Sequence, residues 1–140
     1  MTRLHDILME TAKIWANASR CSRSKVGAII ARDGRIIATG YNGTPPGFDN
    51  CCEDCDGNTK EEVIHAEQNA ILFCARNGLS TLGTTLYVTL SPCPSCAKMI
   101  AAAGIEKVFY LDEYRNPGGI DMLIRLGVNT RSIKDETSSI

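Results

Sequence analysis

The chain has 140 residues, 44% of them apolar and 22% charged, and we predict one globular domain over residues 1–140. Its net charge is −1 and its pI is near 6.1, so it lacks the basic excess typical of proteins whose main partner is a duplex nucleic acid. No run of about 18 apolar residues occurs, and residues 1–10 carry charges instead of an apolar signal segment, so we expect a cytoplasmic protein without a membrane partner.

The first half of the chain is predicted to begin with a helix and then to form a β-hairpin. Apolar residues recur at helical spacing from Leu4 to Ala18. Two isoleucine-rich runs follow, residues 26–31 and 35–39, and the pair Asp33-Gly34 between them is a strong hairpin signal. Residues 40–59 are rich in glycine, proline and polar side chains. They predict a long loop, and long loops in compact domains usually carry function.

The second half of the chain alternates between helices and strands. We predict helices over residues 66–76, 94–103 and 119–125, and strands over residues 85–90, 107–111 and 128–133. This alternation predicts an α/β domain whose second half is largely parallel. The first two of these helices are apolar nearly all round, so we expect both of them to be packed on two sides.

Two short motifs, residues 65–67 and 92–96, carry the chemistry. Cys93 and Cys96 are three residues apart and share a helix face, and Pro94 suits the first helical position, so Cys93 stands at a helix entrance. His65 and Glu67 are about 200° apart around a regular helix, so they face one site only if His65 also stands at a helix entrance. The spacing therefore predicts two helix N-termini that converge on one metal ion, where their dipoles favour thiolates.

A histidine and two cysteines in this arrangement predict a catalytic zinc site. One imidazole and two thiolates leave a fourth tetrahedral position open, which is typical of catalytic zinc. Glu67, close to the metal but not a ligand, is expected to move a proton from water to the ring nitrogen and the leaving amine. H-x-E followed by P-C-x-x-C is the signature of the zinc base deaminases. A lone Cys-x-x-Cys also occurs in structural zinc knuckles and redox pairs, but a purely structural site has no use for Glu67.

From residue 19 to residue 130 the sequence resembles the deoxycytidylate (dCMP) deaminases. The stretches that carry the resemblance are residues 26–28, 40–45, 64–71 and 87–98, and the Gly-Tyr-Asn-Gly loop narrows it from the deaminase superfamily to this family. The resemblance implies a three-layer α/β/α cytidine-deaminase-like fold with a five-stranded mixed sheet. It also implies zinc-dependent hydrolysis of dCMP to dUMP and ammonia, feeding dTMP synthesis, in a homohexamer activated by dCTP and inhibited by dTTP.

The same resemblance implies roles for individual residues. Asn42 is expected to contact the deoxyribose, and Tyr114 to pack against sugar and base. Arg23 is expected to hold the 5′-phosphate as a buried cation, which would make the phosphate essential. Ala66 is expected in the substrate site beside the metal. The effector triphosphates, with Mg²⁺, are expected on the glycine-rich loop, at Asn42, Gly43, Thr44 and Gly47.

Seven cysteines are many for a cytoplasmic chain. Microbial and phage members of the family that this chain resembles often carry a structural zinc between the segment before the first strand and the long loop. Cys21 and Cys51 fall at matching positions, and Cys55, with or without Cys52, is expected to complete a second zinc site. The alternative is that these are free thiols in a polar loop. Cys74, within an apolar helix, is expected to be a core residue.

Three other functions stay open at this point. A tRNA or other polynucleotide base deaminase shares the two motifs, although the charge balance and the glycine-rich loop argue against it. A broader nucleotide deaminase would also accept dCTP. The third alternative is a zinc-binding module without enzymatic activity, which Glu67 argues against.

Overall fold

The computed structural model describes residues 3–138, which form a five-stranded mixed sheet between two layers of helices. The spatial order of the strands is β2-β1-β3-β4-β5. This arrangement confirms the predicted three-layer α/β fold. The elements in chain order are α1 (Leu4–Ala16), β1 (Gly27–Arg32), β2 (Arg35–Tyr41), α2 (Ala66–Arg76), β3 (Thr85–Leu90), α3 (Pro94–Ala102), β4 (Lys107–Asp112), α4 (Gly118–Arg125), β5 (Asn129–Ser132) and α5 (Ile133–Ser138).

The sheet is mixed because its first two pairings are antiparallel and its last two are parallel. Strand β1 pairs antiparallel with both β2 and β3, whereas β3, β4 and β5 run parallel to one another. The predicted hairpin and the predicted parallel second half are therefore confirmed. As a result, the start of β1 and the ends of β2, β3 and β4 all meet at one edge of the sheet.

The sheet has a hydrophobic core on each face. Along β1, Ala28 and Ile30 face the core built with α2, α3 and α4, whereas Ile29 and Ala31 face the core built with α1 and α5. This alternation is the two-residue period of a strand that is buried on both sides. Cys74 is fully buried in the first core, as predicted.

Helix α2 departs from the prediction that it is packed on two sides. Ala66, Ala70 and Cys74 face the sheet, but Leu72 and Phe73 on the opposite side are 50% and 47% exposed. That expectation was wrong for α2 because apolar character alone does not say whether a helix face is covered by the same chain. Within residues 3–138, no helix combines the length and the apolar character that a membrane span requires.

Helix α2 lies unusually close to the end of β2. A Cβ atom built on Gly40 would lie 2.3 Å from the Ala66 carbonyl oxygen and 2.8 Å from the Ala70 nitrogen. These are backbone atoms, so only a glycine permits this approach. The contact fixes the start of α2 against the edge of the sheet where β1, β2, β3 and β4 meet.

Candidate active site

His65 and Cys93 occupy equivalent positions, each immediately before a helix. His65 precedes α2 with φ −72° and ψ 159°, and Cys93 precedes α3 with φ −72° and ψ 165°. Extended backbone is typical of the N-cap position, and Pro94 occupies the first turn of α3. The predicted pair of converging helix N-termini is therefore confirmed.

The three predicted catalytic-zinc ligands lie together. His65 Nδ1 is 3.1 Å from Cys96 Sγ and 3.7 Å from Cys93 Sγ, and the three donor atoms all lie within 4.8 Å of one another. Zn–N and Zn–S bonds in a tetrahedral site place the nitrogen and sulfur about 3.6 Å apart. The residues thus fit a zinc ion in both donor chemistry and spacing, with three protein ligands.

The pKa values at the site reflect three groups that compete for protons. Hydrogen bonds from the Cys96 thiol and from His65 lower the pKa of Cys93 to about 4. The hydrogen bond that His65 makes with Cys93 raises the pKa of His65. The hydrogen bond that Cys96 makes with Cys93, together with burial, raises the pKa of Cys96. A thiolate is therefore present at neutral pH, and a bound cation would take the place of the remaining shared protons.

Glu67 is buried beside this donor set. Its side chain is 4% exposed, and burial raises its pKa from 4.5 to about 7. It is not one of the three clustered donors, yet it lines the same cavity as His65 and Cys93. A carboxyl group with this pKa takes up and releases a proton near neutral pH, which is what a general acid and base requires.

Neighbouring residues fix both ligand-bearing turns. The Gln68 side-chain oxygen accepts a hydrogen bond of 2.8 Å from the His65 backbone N–H. Helix α4 packs on the other turn: a Cβ built on the buried Gly119 would lie only 1.8 Å from the Pro92 carbonyl oxygen. Both turns are therefore fixed by contacts outside the donor set.

A cavity of ≈ 640 Å³ opens onto these groups. This volume lies within the range of small-molecule sites. All four residues predicted to bind substrate line it, namely Arg23, Asn42, Ala66 and Tyr114. Arg115 lines the cavity as well. It could not be predicted from the sequence, because a lone arginine outside a motif does not indicate a binding site.

The cations at the cavity are exposed. Arg23 and Arg115 both have exposed side chains, so the expectation of a buried Arg23 was wrong. Arg23 lies in the irregular segment between α1 and β1. An exposed guanidinium still pairs with a phosphate, but leaving it unpaired costs less than leaving a buried one unpaired.

Asn42 and Tyr114 are both held by hydrogen bonds. Asn42 Oδ1 accepts a bond of 2.9 Å from the Val26 N–H, and its Nδ2 donates one of 2.7 Å to the Ser24 carbonyl. The Tyr114 N–H donates to the buried Ser91 hydroxyl at 2.6 Å. Each Asn42 side-chain atom keeps one further bonding position, because an amide oxygen accepts two bonds and its NH₂ donates two.

The glycine-rich loop after β2 is partly tied to the site. Gly43 and Ile64 exchange two backbone hydrogen bonds, of 3.0 and 2.8 Å, and the Thr44 hydroxyl donates to the Asp49 carbonyl at 2.6 Å. Gly47 has φ +95°, and nothing lies within 4 Å of a Cβ built there. The loop therefore places open backbone near Gly47, whereas the Gly43 N–H already has a partner.

The second cysteine cluster differs from the prediction. Cys21 is joined by a disulfide bond to Cys52, with Glu53 beside the pair, whereas Cys51 and Cys55 are exposed free thiols. The predicted ligand set of Cys21, Cys51 and Cys55 was therefore wrong. The reason is local: Cys51 and Cys52 are adjacent in an irregular loop, and it is the side chain of Cys52, 1% exposed, that turns inward.

Comparison with known proteins places these motifs in a family. Residues 2–112 match the family described as the cytidine and deoxycytidylate deaminase zinc-binding region. The fold is similar to the structure of dCMP deaminase from the cyanophage S-TIM5 in complex with dCMP and dUMP, with a TM-score of 0.91 and 48% identity, over 94% of this chain and 98% of that one. The chain is also similar to deoxycytidylate deaminase of Enterobacteria phage T4. An alignment of 170 positions, gaps included, has 38% identity and covers 90% of this chain and 88% of that protein. With deoxycytidylate deaminase of Mycobacterium phage D29 it shares 43% identity over 112 residues, 70% of this chain and 86% of that protein.

Proposed function

This chain belongs to the cytidine and deoxycytidylate deaminase family, and on that premise we propose that it hydrolyses dCMP to dUMP and ammonia. The observation that carries the proposal is that His65, Cys93 and the buried Glu67 line one cavity of nucleotide size, with the Cys96 sulfur within 4.8 Å of the other two donor atoms. The cyanophage relative, 48% identical, binds dCMP and dUMP, which supports dCMP as the substrate.

Glu67 is the group that moves protons in this proposal. His65, Cys93 and Cys96 would hold a zinc ion, which would lower the pKa of a bound water toward neutrality. The buried Glu67 carboxylate accepts one proton from the attacking water and passes it to the ring nitrogen. It then transfers the second proton of that water to the 4-amino group, which leaves as ammonia while the ring keeps the oxygen.

Substrate recognition uses the rest of the cavity wall. Arg23 and Arg115 both line the cavity, which supports a role for them in pairing with the 5′-phosphate. The Asn42 amide uses its remaining capacity on the deoxyribose, and the Tyr114 ring packs against sugar and base. Ala66 contributes the floor beside the metal ligands, at the start of α2.

Regulation by dCTP and dTTP, each bound with Mg²⁺, is proposed at the glycine-rich loop. Asn42, Gly43, Thr44 and Gly47 would supply it, and the open backbone at Gly47 supports the assignment because a phosphate can approach it closely. The loop is continuous with Asn42 in the cavity wall, so an effector there would act directly on a substrate residue.

A homo-oligomer, taken as a hexamer from the family resemblance, is proposed for the assembly. The exposed apolar face of α2, Leu72 and Phe73, supports self-association, because such faces are usually covered by a partner. Light scattering on the purified protein measures the subunit number directly. The cytoplasmic location stays a prediction and is checked by fractionating cells that produce the protein.

A second, structural zinc is proposed only for protein in which the Cys21–Cys52 bond is reduced. The two thiolates and the Glu53 carboxylate lie within 4.8 Å of one another and would supply three ligands. Elemental analysis would then give two zinc ions per reduced chain and one per oxidised chain. One zinc in both forms would contradict the second site and leave the catalytic one unaffected.

The test of the activity is ammonia release from dCMP, deoxycytidine, cytidine, dCTP and a tRNA under one set of conditions. We expect the highest kcat/KM with dCMP. Similar values for dCMP and dCTP would make the chain a broader nucleotide deaminase, and preferential release from tRNA would make it a polynucleotide enzyme. No release from any of these by zinc-replete protein would overturn the enzymatic assignment.

A further inference from the structure

Residues 51–55 of the loop after β2 have no part in the proposed chemistry, yet they are attached to the segment that carries Arg23. Two consecutive residues make the attachment. Cys52 is bonded to Cys21, and Glu53 receives hydrogen bonds from the two residues that follow Cys21. The attachment thus begins at Cys21 and extends to Arg23 itself.

Glu53 makes three hydrogen bonds with this segment. Its Oε1 accepts from the Ser22 hydroxyl at 2.8 Å and from the Ser22 N–H at 3.2 Å, and its Oε2 accepts from the Arg23 N–H at 3.2 Å. The carboxylate thus accepts hydrogen bonds from one hydroxyl and two backbone N–H groups of this segment. Hydrogen bonds to a charged acceptor are the stronger kind.

The Arg23 segment would otherwise have little to hold it. It belongs to no helix or strand, and residues 22–25 are exposed. On its other side, Asn42 bonds the backbone of Ser24 and Val26. The backbone around Arg23 is therefore held from two sides. Glu53 accepts hydrogen bonds from Ser22 and Arg23, and Asn42 bonds the residues that follow Arg23.

We propose that Glu53 is a positioning residue for the phosphate-binding cation: it fixes the backbone of Arg23 so that the guanidinium faces the 5′-phosphate of the substrate. This inference rests on the proposed function, because it takes Arg23 as the phosphate ligand. Glu53 itself lies outside the lining of the cavity that His65, Cys93 and Glu67 share. Its effect is therefore confined to ligands that carry the phosphate.

The experiment compares ligands with and without a phosphate. For wild type, Glu53→Gln and Glu53→Ala, we would measure kcat and KM for dCMP and the inhibition constants of dUMP and deoxyuridine. Assays without reductant keep the Cys21–Cys52 bond, so that no thiolate metal site forms there. We expect KM for dCMP and the dUMP constant to rise about ten-fold in Glu53→Ala and less in Glu53→Gln, with kcat and the deoxyuridine constant unchanged.

Two further variants separate the possible failures. Glu61→Gln removes the same charge from an exposed position of the same loop and should leave all constants as in wild type. Arg23→Gln should weaken dUMP but not deoxyuridine, and Glu53→Ala should add little to it in the double variant, because both act on one interaction.

The outcomes are distinguishable. If Arg23→Gln weakens dUMP but the Glu53 variants do not, the positioning role is overturned and the proposed phosphate site stands. If the Glu53 variants weaken deoxyuridine as much as dUMP, or lower kcat, the residue has a general structural role and the inference is also wrong. If Arg23→Gln does not discriminate the two ligands, the phosphate site of the proposed function fails, and the inference fails with it.

Discussion

Replacing Glu67 by glutamine separates catalysis from stability. Glutamine has nearly the same shape and cannot transfer a proton, so the donor set His65, Cys93 and Cys96 should keep its zinc. Loss of a positioned acid and base costs about 10²–10⁴ in rate, a barrier increase of about 3–5 kcal/mol. We therefore expect kcat for dCMP to fall by at least that factor, with zinc content and KM close to wild type.

The same substitution should stabilise the metal-free protein. The fold raises the pKa of Glu67 from 4.5 to about 7, so the folded chain holds this proton more tightly than the unfolded chain. Ionisation therefore opposes folding: the penalty is absent below pH 4.5, grows as the pH rises toward 7 and is complete above it, at about 3 kcal/mol. Glutamine removes that penalty, so the gain should be present at pH 8 and absent at pH 4.

Thermal unfolding of chelator-treated protein measures this gain, with Glu61→Gln as the matched control for a glutamate that is exposed. For a chain of this size we expect Tm to rise by roughly 10 °C at pH 8. The control should not shift. A zinc-replete Glu67→Gln with wild-type turnover would refute the proton-transfer role, and an unchanged Tm at pH 8 would refute the argument from burial.

Further predictions concern the metal, the packing and the regulation. Cys96→Ser removes a buried ligand, so elemental analysis should find less than one zinc per oxidised chain and ammonia release should be lost; full zinc content would contradict the assignment. Gly40→Ala forces a methyl group against the Ala66 carbonyl, so urea unfolding should show a loss of about 2 kcal/mol or more, together with reduced activity. In wild type, dCTP and dTTP should shift the dCMP saturation curve in opposite directions, and Gly43→Val should abolish both shifts. Its Tm should be unchanged, because a Cβ at position 43 meets only the Tyr41 ring, at 4.0 Å. Unregulated kinetics in the wild type would contradict the effector site.

The catalytic centre could be predicted because its geometry is local. Pro94 fixes where α3 begins, and the spacing of His65 and Glu67 is compatible with one site only at a helix entrance. Both conclusions follow from a few consecutive residues, and the structure agrees with them. The fold class could be predicted for a similar reason, because apolar residues recur with a different spacing in strands and in helices.

The errors arose where the answer depends on distant contacts. Choosing between Cys51 and Cys52 as the partner of Cys21 requires knowing which side of an irregular loop faces inward, and adjacent residues differ in that respect. The exposure of Arg23 likewise depends on how the irregular segment between α1 and β1 is oriented, which no local pattern specifies. Arg115 lines the cavity because it follows the end of β4, and no local sequence pattern indicates this position.

The close contact between Gly119 and the Pro92 carbonyl affects which residues a mutational scan would identify as catalytic. In an unbiased substitution library scored for deamination, position 119 should tolerate no other residue, because any side chain displaces the turn that carries Cys93. Its activity profile would then match that of Glu67, although Gly119 has no side chain that could transfer a proton. Scoring the abundance of folded protein beside activity would separate the two classes, since a glycine that supports packing should lose both, whereas Glu67 should lose only activity.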